Sequence, residues 1–598
     1  MKKLATLCIA FILTVCSMMG GLVGCSRDPG EEFNADASHL YVGAYAAGYG
    51  TQFAKDLKVG FEEHWKDYSF EEGKTGVQVH VLDALDGQSI MGNFEFGDYE
   101  VIFTGNADYY QYVEQNKIIP ITDVLTDNLN EYGENKSIAS RLSADALEAL
   151  KVGNDYYSVP YVTSNYGVVI NVDLWDSKEL YFAKGGCPSE YYRASESSTD
   201  IVKGRIDDGL VDAALAFPEG VTQWNDDMYA FCGYDAERSA GPDGKYGTLD
   251  DGQPATFEEF FAFCSNAKYA QGVQPIHWPG KGTTQVSKAL IQFVNDMLGA
   301  EQARLRYTYD GVATRLIDVD EYGNVTYLDP VQITNENGYL LHKQDAIYYV
   351  MQFIEELLQS NDYYVDTNNS THSHTDAQDD FISGGIINGK PEIAMLVDGN
   401  WWMNEAAGGF DVITANYGEE YAAANRRFQM LSYPKLNNDA VGEPLTEATG
   451  NSVISAINSK IKNDPVKVRI AKEFLKFAFT NANNLAFTKT TGIIRALELD
   501  IPEGYLDTLP FFTKTELERQ QMTEFFYDSS ENEMVRYNYF NMFNSEIFWS
   551  GIINGDTKNV PNTAMQAGFT AIQLFRAKSD LWTKDYWDQK YSMYYDAQ

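Results

Sequence analysis

The sequence predicts an α/β protein, because short apolar segments of strand length alternate with segments whose apolar residues recur at helical spacing. Residues 40–42 are apolar and lead through a glycine-rich turn into a segment with Phe53, Leu57 and Phe61 on one helical face. Residues 393–397 form another apolar run, bounded by proline and glycine, that precedes a pair of tryptophans. Such alternation indicates a mostly parallel sheet, whose ligands gather beyond the carboxyl ends of the strands.

The N-terminus is predicted to be a secretion signal. Two lysines precede an apolar stretch over residues 4–23, and small residues close it before Cys25. The segment at Cys25 resembles a bacterial lipobox, which implies that this cysteine is lipidated. We therefore expect residues 1–25 to be a lipoprotein signal peptide and residues 26–38 to be a flexible tether. The mature chain is then held by lipid on the outer face of the cell membrane, in an extracellular or periplasmic position.

The charge of the chain narrows the classes of ligand. It contains 86 Asp and Glu residues against 45 Lys and Arg, which gives a formal net charge of −41. Nucleic acids and anionic substrates are bound by clustered cations, so we expect no nucleic-acid partner. Neutral solutes, cations and metal ions remain possible ligands.

The cysteines permit little cross-linking. Three follow Cys25 in the chain, namely Cys187, Cys232 and Cys264, and none is spaced as a C-x-x-C motif. An odd number leaves at least one thiol unpaired, so at most one disulfide is possible, for example between Cys232 and Cys264.

Polar and aromatic residues follow the predicted strands in the N-terminal part of the chain. Residues 77–82 alternate as a second strand, and residues 100–106 form a third. Because the carboxyl ends of parallel strands share one edge of a sheet, four residues are expected along one rim. These residues are Tyr45, Tyr49, Asn106 and Asp108. Each of them, taken alone, is more commonly a surface loop residue than a ligand.

The paired tryptophans are predicted to open a helix. Asp398, Gly399 and Asn400 offer turn and N-cap chemistry directly before Trp401 and Trp402. Neighbouring residues on a helix point about 100° apart. One indole can therefore face the core while the other faces a cleft. The alternative, in which both rings are core aromatics, stays open at this point.

Several short motifs occur in an order and spacing that resemble a known family. The motifs are Y-x-V-P at Tyr157 to Pro160, Y-x-x-x-x-N at Tyr166 to Asn171, a helix start at Thr256 to Phe260, A-M-x-x-x-G-x-W at Ala394 to Trp401, Y-P-K-L at Tyr433 to Leu436, and an amphipathic helix at Ala471 to Phe477. In this respect the chain resembles the extracellular solute-binding proteins of family 1, the maltose-binding-like receptors of ABC importers.

The resemblance implies a type II periplasmic-binding-protein-like fold of two discontinuous α/β lobes joined by crossing hinge strands. Residues 39–160 and 455–499 would form lobe 1, and residues 161–454 and 500–598 would form an enlarged lobe 2. Lobe 2 would contain an insertion at about residues 180–254.

The resemblance also implies a function and a set of site residues. We expect a monomeric substrate-binding component that takes up a neutral solute, an oligosaccharide above all, in an aromatic-lined cleft between the lobes and delivers it to an ABC permease. In the family the tryptophan of the G-x-W segment stacks on a sugar ring, which points most directly to Trp401. The candidate ligand-binding residues are Tyr45, Tyr49, Asn106, Asp108, Tyr161, Trp278, Asp398, Trp401, Trp402 and Glu405.

Two other classes of function remain as alternatives. A surface glycoside hydrolase would need two carboxylates about 5–9 Å apart, and no motif selects such a pair. A receptor of the same fold for a peptide, a polyamine or a metal ion would also suit the acidic composition. The expected function involves no catalysis and no cofactor.

Two segments invite a metal interpretation. Residues 241–252 place Asp243, Asp250 and Asp251 in a glycine-rich loop that could wrap a structural calcium ion, but the EF-hand pattern is incomplete and a metal-free turn is favoured. Residues 370–381 contain two histidines, and we favour a loop that caps a helix carrying Gln378 towards the tryptophan pair.

Overall fold

A computed structural model gives the fold of the chain. It describes residues 32–45, 48–84, 99–105, 109–184, 191–193, 201–203, 229, 231–233, 236–278, 283–359, 363–365, 373–450, 453–528, 532–535 and 568–596. The strands are β1 Ser38–Tyr45, β2 Val77–Ala84, β3 Val101–Thr104, β4 Lys151–Val152, β5 Asp155–Tyr156, β6 Ser158–Pro160, β7 Tyr166–Asn171, β8 Tyr181–Phe182, β9 Tyr191–Arg193, β10 Ile201–Lys203, β11 Phe231–Cys232, β12 Gln274–His277, β13 Gly311–Ala313, β14 Ile317–Val319, β15 Val325–Tyr327, β16 Val331–Ile333, β17 Tyr364–Val365, β18 Ile393–Gly399, β19 Phe428–Met430, β20 Leu445–Thr449, β21 Ile454–Ile457 and β22 Thr523–Tyr527.

The helices follow the same chain order. They are α1 Gln52–Trp65, α2 Tyr109–Glu114, α3 Thr122–Thr126, α4 Ala144–Leu150, α5 Val172–Ser177, α6 Phe257–Ser265, α7 Thr283–Thr308, α8 Asp345–Gln359, α9 His374–Ser383, α10 Trp402–Glu405, α11 Ala407–Tyr417, α12 Pro465–Ala478, α13 Asn481–Thr491, α14 Phe511–Met522, α15 Ala571–Leu581 and α16 Lys584–Tyr591.

The described residues form two compact units, each built from separate stretches of the chain. Unit 1 takes its residues from 1–141, 153–161 and 452–486. Unit 2 takes its residues from 142–152, 162–451 and 487–598. The lobe boundaries that the resemblance implies stay a prediction.

Unit 1 is organised around a sheet with the strand order β2-β1-β3-β21-β6. β1 pairs in parallel with β2 and β3, whereas β21 is antiparallel to β3 and β6. Helix α1 buries Phe53, Leu57 and Phe61, as their spacing predicts. Phe61 also meets Phe474 of α12, with the ring centroids 5.1 Å apart. These contacts bring helices from distant parts of the chain into one core.

Unit 2 is organised around a sheet with the strand order β17-β12-β18-β7-β19. β12 is parallel to β17 and β18, whereas β7 is antiparallel to β18 and β19. β18 lies in the middle of this order and every one of its residues is buried. A second ribbon, in which β20 pairs in parallel with β22, packs on α7. The apolar run at residues 393–397 is therefore a central strand, as the sequence predicts.

Both main sheets are mostly parallel, as expected, but each contains one strand, β21 or β7, that runs antiparallel to the other four. A parallel pair needs a crossover connection, usually a helix, and α1 connects β1 to β2 in this way. β21 follows a segment of unit 2, and β7 follows β6 of unit 1, so neither strand enters its sheet through such a crossover. Alternation of strands and helices in the sequence does not encode this change of direction.

Two further expectations concern cysteines and membrane spans. Cys232 and Cys264 are both buried, and they do not form the disulfide considered between them. Cys187 lies outside the described residues, as do Cys25 and residues 1–31. Within the part of the chain that the structure describes, no helix is both long enough and apolar enough to cross a membrane.

The first two strands of unit 1 carry a stack of aromatic rings. His39 of β1 and His80 of β2 place Nδ1 and Nε2 3.0 Å apart. Phe33 stacks on His39 with the ring centroids 4.1 Å apart, and Tyr41 stacks on His80 at 4.7 Å. Burial, together with the charges of His80 and Lys74, lowers the pKa of His39 below its ordinary value.

This stack predicts acid sensitivity. The unfolded chain binds the His39 proton more tightly than the folded chain, so the free energy of unfolding should fall as the pH drops below about 6.5. The His39→Asn variant should lose less thermal stability than the natural chain between about pH 7 and pH 5, as measured by circular dichroism. Val59→Ala, at an exposed position of α1 that does not titrate, serves as the control and should keep the natural pH dependence. An equal slope for His39→Asn and the natural chain would refute the assignment.

Candidate functional site

β18 ends in an ordered turn that carries the candidate residues of unit 2. The Asn400 side chain donates to the Thr163 carbonyl at 2.9 Å, and the Asn400 N–H donates to the Asn165 carbonyl at 3.0 Å. A Cβ on Gly399 would overlap the six-membered ring of Trp401, so glycine lets the indole lie directly on the turn. No side chain caps α10, whose N-cap residue is Trp401. Asn400 therefore ties the turn to the segment before β7 instead of capping the helix as expected.

Trp402 lies in the hydrophobic core of unit 2. Its side chain is fully buried. Its ring meets Phe381 and Phe428 edge to face, with centroid distances of 5.6 and 4.9 Å. Phe512 packs against it in the same way at 6.0 Å. The ring has no exposed face for a solute, so Trp402 is a packing residue here although the sequence analysis includes it among the candidate ligands.

Trp401 is partly exposed, in contrast to its neighbour. Its ring meets Tyr166, the first residue of β7, edge to face at a centroid distance of 4.7 Å. Its side chain lies close enough to the Glu405 carboxylate to help lower the pKa of that acid. The divergence of the two indoles is the one expected for neighbouring residues at a helix start. Trp401 is thus the aromatic ring that unit 2 offers at the end of its central strand.

Lys288 of α7 extends this aromatic pair. Its Nζ lies 5.0 Å from the centroid of the Tyr166 ring, within the range of cation–π attraction. Burial lowers the pKa of Lys288, and the negative charge of Asp528, directly after β22, partly offsets that effect. Unit 2 therefore brings together one cation, two aromatic rings and one carboxylate, which belong to Lys288, Tyr166, Trp401 and Glu405.

A buried hydrogen-bond network lies behind Trp401. Gln378 of α9 donates through its one Nε2 to Asp398 Oδ2 at 2.9 Å and to Glu405 Oε2 at 2.8 Å. His374 Nε2 lies 3.4 Å from the other oxygen of Glu405. The Gly399 N–H donates to Asp398 Oδ1 at 2.7 Å. Both carboxylates are therefore held on both oxygens.

The network shifts the pKa values of its members in different directions. Complete burial raises the pKa of Asp398 to about 7, although the bonds from Gln378 and Gly399 act against that rise. Burial also opposes ionisation of Glu405, but the bonds from His374 and Gln378 outweigh it, and the pKa of Glu405 is lowered. The hydrogen bond to Glu405 raises the pKa of His374. Glu405 is thus the ionised acid of the pair at neutral pH.

The helix that carries Gln378 begins as the sequence predicts. Ser373 caps α9 and accepts from the Asp376 N–H, while the Asp376 side chain bonds back to the Ser373 N–H in a capping box. His372 lies outside the described residues. His374 joins the Glu405 network.

In unit 1, two candidate tyrosines lie together at the carboxyl end of β1. Tyr45 is partly exposed, and its ring lies on Gly105, where an added Cβ would come 2.7 Å from Tyr45 Cε1. Tyr49 is buried and meets Tyr45 edge to face at a centroid distance of 5.9 Å. Gly105 follows β3, so the two strand ends meet as the parallel pairing requires.

The other candidates of unit 1 are placed differently. Tyr161 is fully buried, with its ring 5.3 Å from Phe103 and 6.1 Å from Phe53 between centroids. A solute cannot reach it without displacing core side chains. Asn106 and Asp108 lie outside the described residues.

Trp278 is also a core residue in this structure. It directly follows β12 and has a relative exposure of only 4%, within the main hydrophobic cluster of unit 2. We expected the loop of Trp278 to face a cleft, but the Trp278 ring itself lies in the core.

The glycine-rich loop at residues 241–252 is closed by its own hydrogen bonds. Asp250 is almost fully buried and accepts from the Asp243 N–H at 3.0 Å and from Thr248 Oγ1 at 2.8 Å. Asp251 accepts from the Gly247 N–H at 2.7 Å. Among the described residues, no group of three or more His, Cys, Asp or Glu side chains is placed to hold a metal ion. These carboxylates form hydrogen bonds within the loop, and the calcium ion considered there stays a prediction.

We call Trp401, Tyr166, Glu405 and Lys288 the Trp401 group. Tyr166 and Lys288 are not among the site residues predicted from the sequence. Tyr166 stands in the Y-x-x-x-x-N motif, so a signal for it existed. Lys288 is one lysine on a helix and has no local signal, because its proximity to Tyr166 depends on how α7 packs against β7.

Comparisons with known proteins identify the fold. No protein-family model matches the chain, and no curated protein sequence matches it. The maltose-bound MalE3 of T. maritima is similar in structure, with a TM-score of 0.50 and 11% sequence identity over 91% of this chain and 99% of that chain. A chitin oligosaccharide binding protein has a TM-score of 0.47 at 12% identity, over 93% of this chain and 100% of that chain. RafE from Streptococcus pneumoniae has a TM-score of 0.48 at 11% identity, over 92% and 99%. The predicted fold class, that of the type II periplasmic solute-binding proteins, is confirmed.

The different burial of the two tryptophans predicts different effects on stability. Trp402→Ala should lower the free energy of unfolding by about 3–5 kcal/mol, because it leaves a cavity in the core. Trp401→Ala should cost clearly less, since its ring is partly exposed. Denaturant unfolding followed by circular dichroism checks both values. Equal losses would show that the two rings are not placed as described.

Proposed function

We propose that the chain is the substrate-binding component of an ABC importer and that it binds an oligosaccharide. The observation that carries the proposal is the partly exposed Trp401, held at the carboxyl end of the central strand of unit 2 in a type II solute-binding fold. In open α/β sheets, ligands bind beyond the carboxyl ends of the strands. The solved proteins of similar fold include one bound to maltose and one named for binding chitin oligosaccharides.

The chemistry of the Trp401 group suits a sugar. The flat faces of aromatic rings pack against the C–H surfaces of a pyranose, while carboxylates and ammonium groups pair with its hydroxyls. Trp401 and Tyr166 supply rings, and Glu405 and Lys288 supply charged polar groups in the same region of unit 2. Positive and negative groups both occur here, which favours a neutral solute over a highly charged one.

The free energy of one stacking contact shows how many further contacts a solute would need for tight binding. Burying a whole indole of 150–250 Å² at about 25 cal/mol per Å² contributes at most about 4–6 kcal/mol. A micromolar complex needs about 8 kcal/mol. Trp401 is already partly buried, so it can supply only part of this free energy. Tyr166 of the same unit, also partly exposed, is a second aromatic candidate.

The remaining parts of the proposal concern the cellular setting. Lipidation of Cys25 would hold a monomeric chain on the outer face of the cell membrane, where the solute would pass to an ABC permease. The acidic surface and the tether would keep the chain soluble beside the membrane.

A glycoside hydrolase is the second candidate, because one feature favours it. Asp398 and Glu405 are close enough to share a single amide group, and retaining glycosidases use two neighbouring carboxyl groups. Asp398 has no exposed surface, however, and both of its oxygens accept hydrogen bonds from the protein. A carboxyl group in that position cannot touch a scissile bond, so binding without turnover is the better proposal.

Isothermal titration of the chain from Ser26 onward against neutral oligosaccharides tests the proposal. We expect binding without products, and we expect Trp401→Ala to weaken it about tenfold or more, because the stacking face is lost. Tyr322→Ala is a matched control, since Tyr322 is an exposed aromatic residue of unit 2 outside the Trp401 group.

The possible results separate the candidates. Product formation, followed by chromatography, would overturn the proposal in favour of the hydrolase. Tight binding that Trp401→Ala leaves unchanged would preserve the receptor function but refute this site. No binding across maltose-type and chitin-type oligosaccharides would contradict the oligosaccharide assignment and favour a peptide, a polyamine or a metal ion.

A further inference from the structure

Gln378 occupies a position that packing alone does not explain. Its side chain is 1% exposed, on the face of α9 that packs on β18. Its two amide hydrogens point to two different carboxylates, Asp398 and Glu405, at 2.9 and 2.8 Å. An apolar residue of the same length would fill this space without burying polar groups.

The acids that Gln378 joins belong to different parts of the turn. Asp398 is the penultimate residue of β18, and Glu405 is the last residue of α10. Trp401 lies between them in sequence, and its side chain interacts with the Glu405 carboxylate. Gln378 therefore connects the beginning and the end of the segment that carries the aromatic ring.

Glu405 can orient the indole only if its own carboxylate is fixed. Gln378 binds one of its oxygens, and His374 lies 3.4 Å from the other. Asp398, in turn, is fixed by the Gly399 N–H at 2.7 Å. A buried polar network whose members are all satisfied specifies one geometry, whereas a partly satisfied network does not.

We propose that Gln378 is a positioning residue for solute binding, whose amide holds Glu405 so that Glu405 holds the Trp401 ring in its binding orientation. The proposal rests on the proposed function, because it assigns the ring to the solute site. A ring that is already fixed loses less conformational freedom when a solute binds, so the network raises affinity without touching the solute.

The first measurement needs no solute. The chain contains nine tryptophans. When it is labelled with 5-fluorotryptophan, the ¹⁹F resonance of Trp401 is the one missing from the Trp401→Phe variant. In Gln378→Met this resonance should shift or broaden, because the indole samples more than one orientation. The resonances of the other tryptophans, including the core residue Trp402, should stay in place, which a general loss of structure would not allow.

A matched variant controls for the change of residue type. Gln352 lies exposed on α8, and its Nε2 donates to the Tyr348 hydroxyl at 3.2 Å. Gln352→Met should leave the Trp401 resonance and the affinity for oligosaccharide unchanged. Gln378→Met should weaken that affinity about tenfold.

The outcomes decide the two proposals separately. An unchanged Trp401 resonance in Gln378→Met would overturn the positioning role, whatever binds. A chain that binds no oligosaccharide would overturn the proposed function, while the resonance would still report whether Gln378 orients the indole. If Gln378→Met does not fold, Glu405→Gln replaces it and should change the Trp401 resonance. An unchanged resonance there would overturn the role.

Discussion

The complete burial of β18 is the constraint on which the candidate site of unit 2 depends. A strand that is buried at every position can carry a carboxyl group at its end only if the protein satisfies that group internally. Asp398 meets this requirement through Gln378 and the Gly399 N–H. The same amide reaches Glu405, and Glu405 reaches the indole of Trp401. The need to satisfy one buried acid is thus linked to the orientation of the exposed ring.

The net charge of the chain says little about the charge of this site. The whole sequence carries −41, yet the network contains a histidine whose pKa is raised and an acid whose pKa is raised to about 7. Lys288 adds a cation 5.0 Å from the centroid of the Tyr166 ring. The acidic residues on the surface keep the chain solvated, whereas groups of both signs lie around Trp401. A neutral solute is compatible with both facts.

Much of the fold could be predicted, because its signals are local. The spacing of Phe53, Leu57 and Phe61 predicts the buried face of α1, and the apolar run after Pro391 predicts β18. The direction of β21 and β7 could not be predicted in this way, because strand length and apolarity are the same for parallel and antiparallel pairs. Of the candidate ligands in unit 2, Trp401 stays at the surface while Trp278 and Trp402 lie in the core. Composition alone does not separate these three indoles.

The sequence by itself determined the α/β class, the strand that ends at the paired tryptophans and the capped helix that precedes it, since periodicity, turn residues and caps act over a few neighbouring positions. Only the tertiary structure decided which groups meet. Gln378 and Asp398 are 20 residues apart and belong to different elements. Lys288 and Tyr166 are still further apart in the chain. Such contacts arise because the packing of a helix on a sheet brings side chains to a common point, and no local pattern records that geometry.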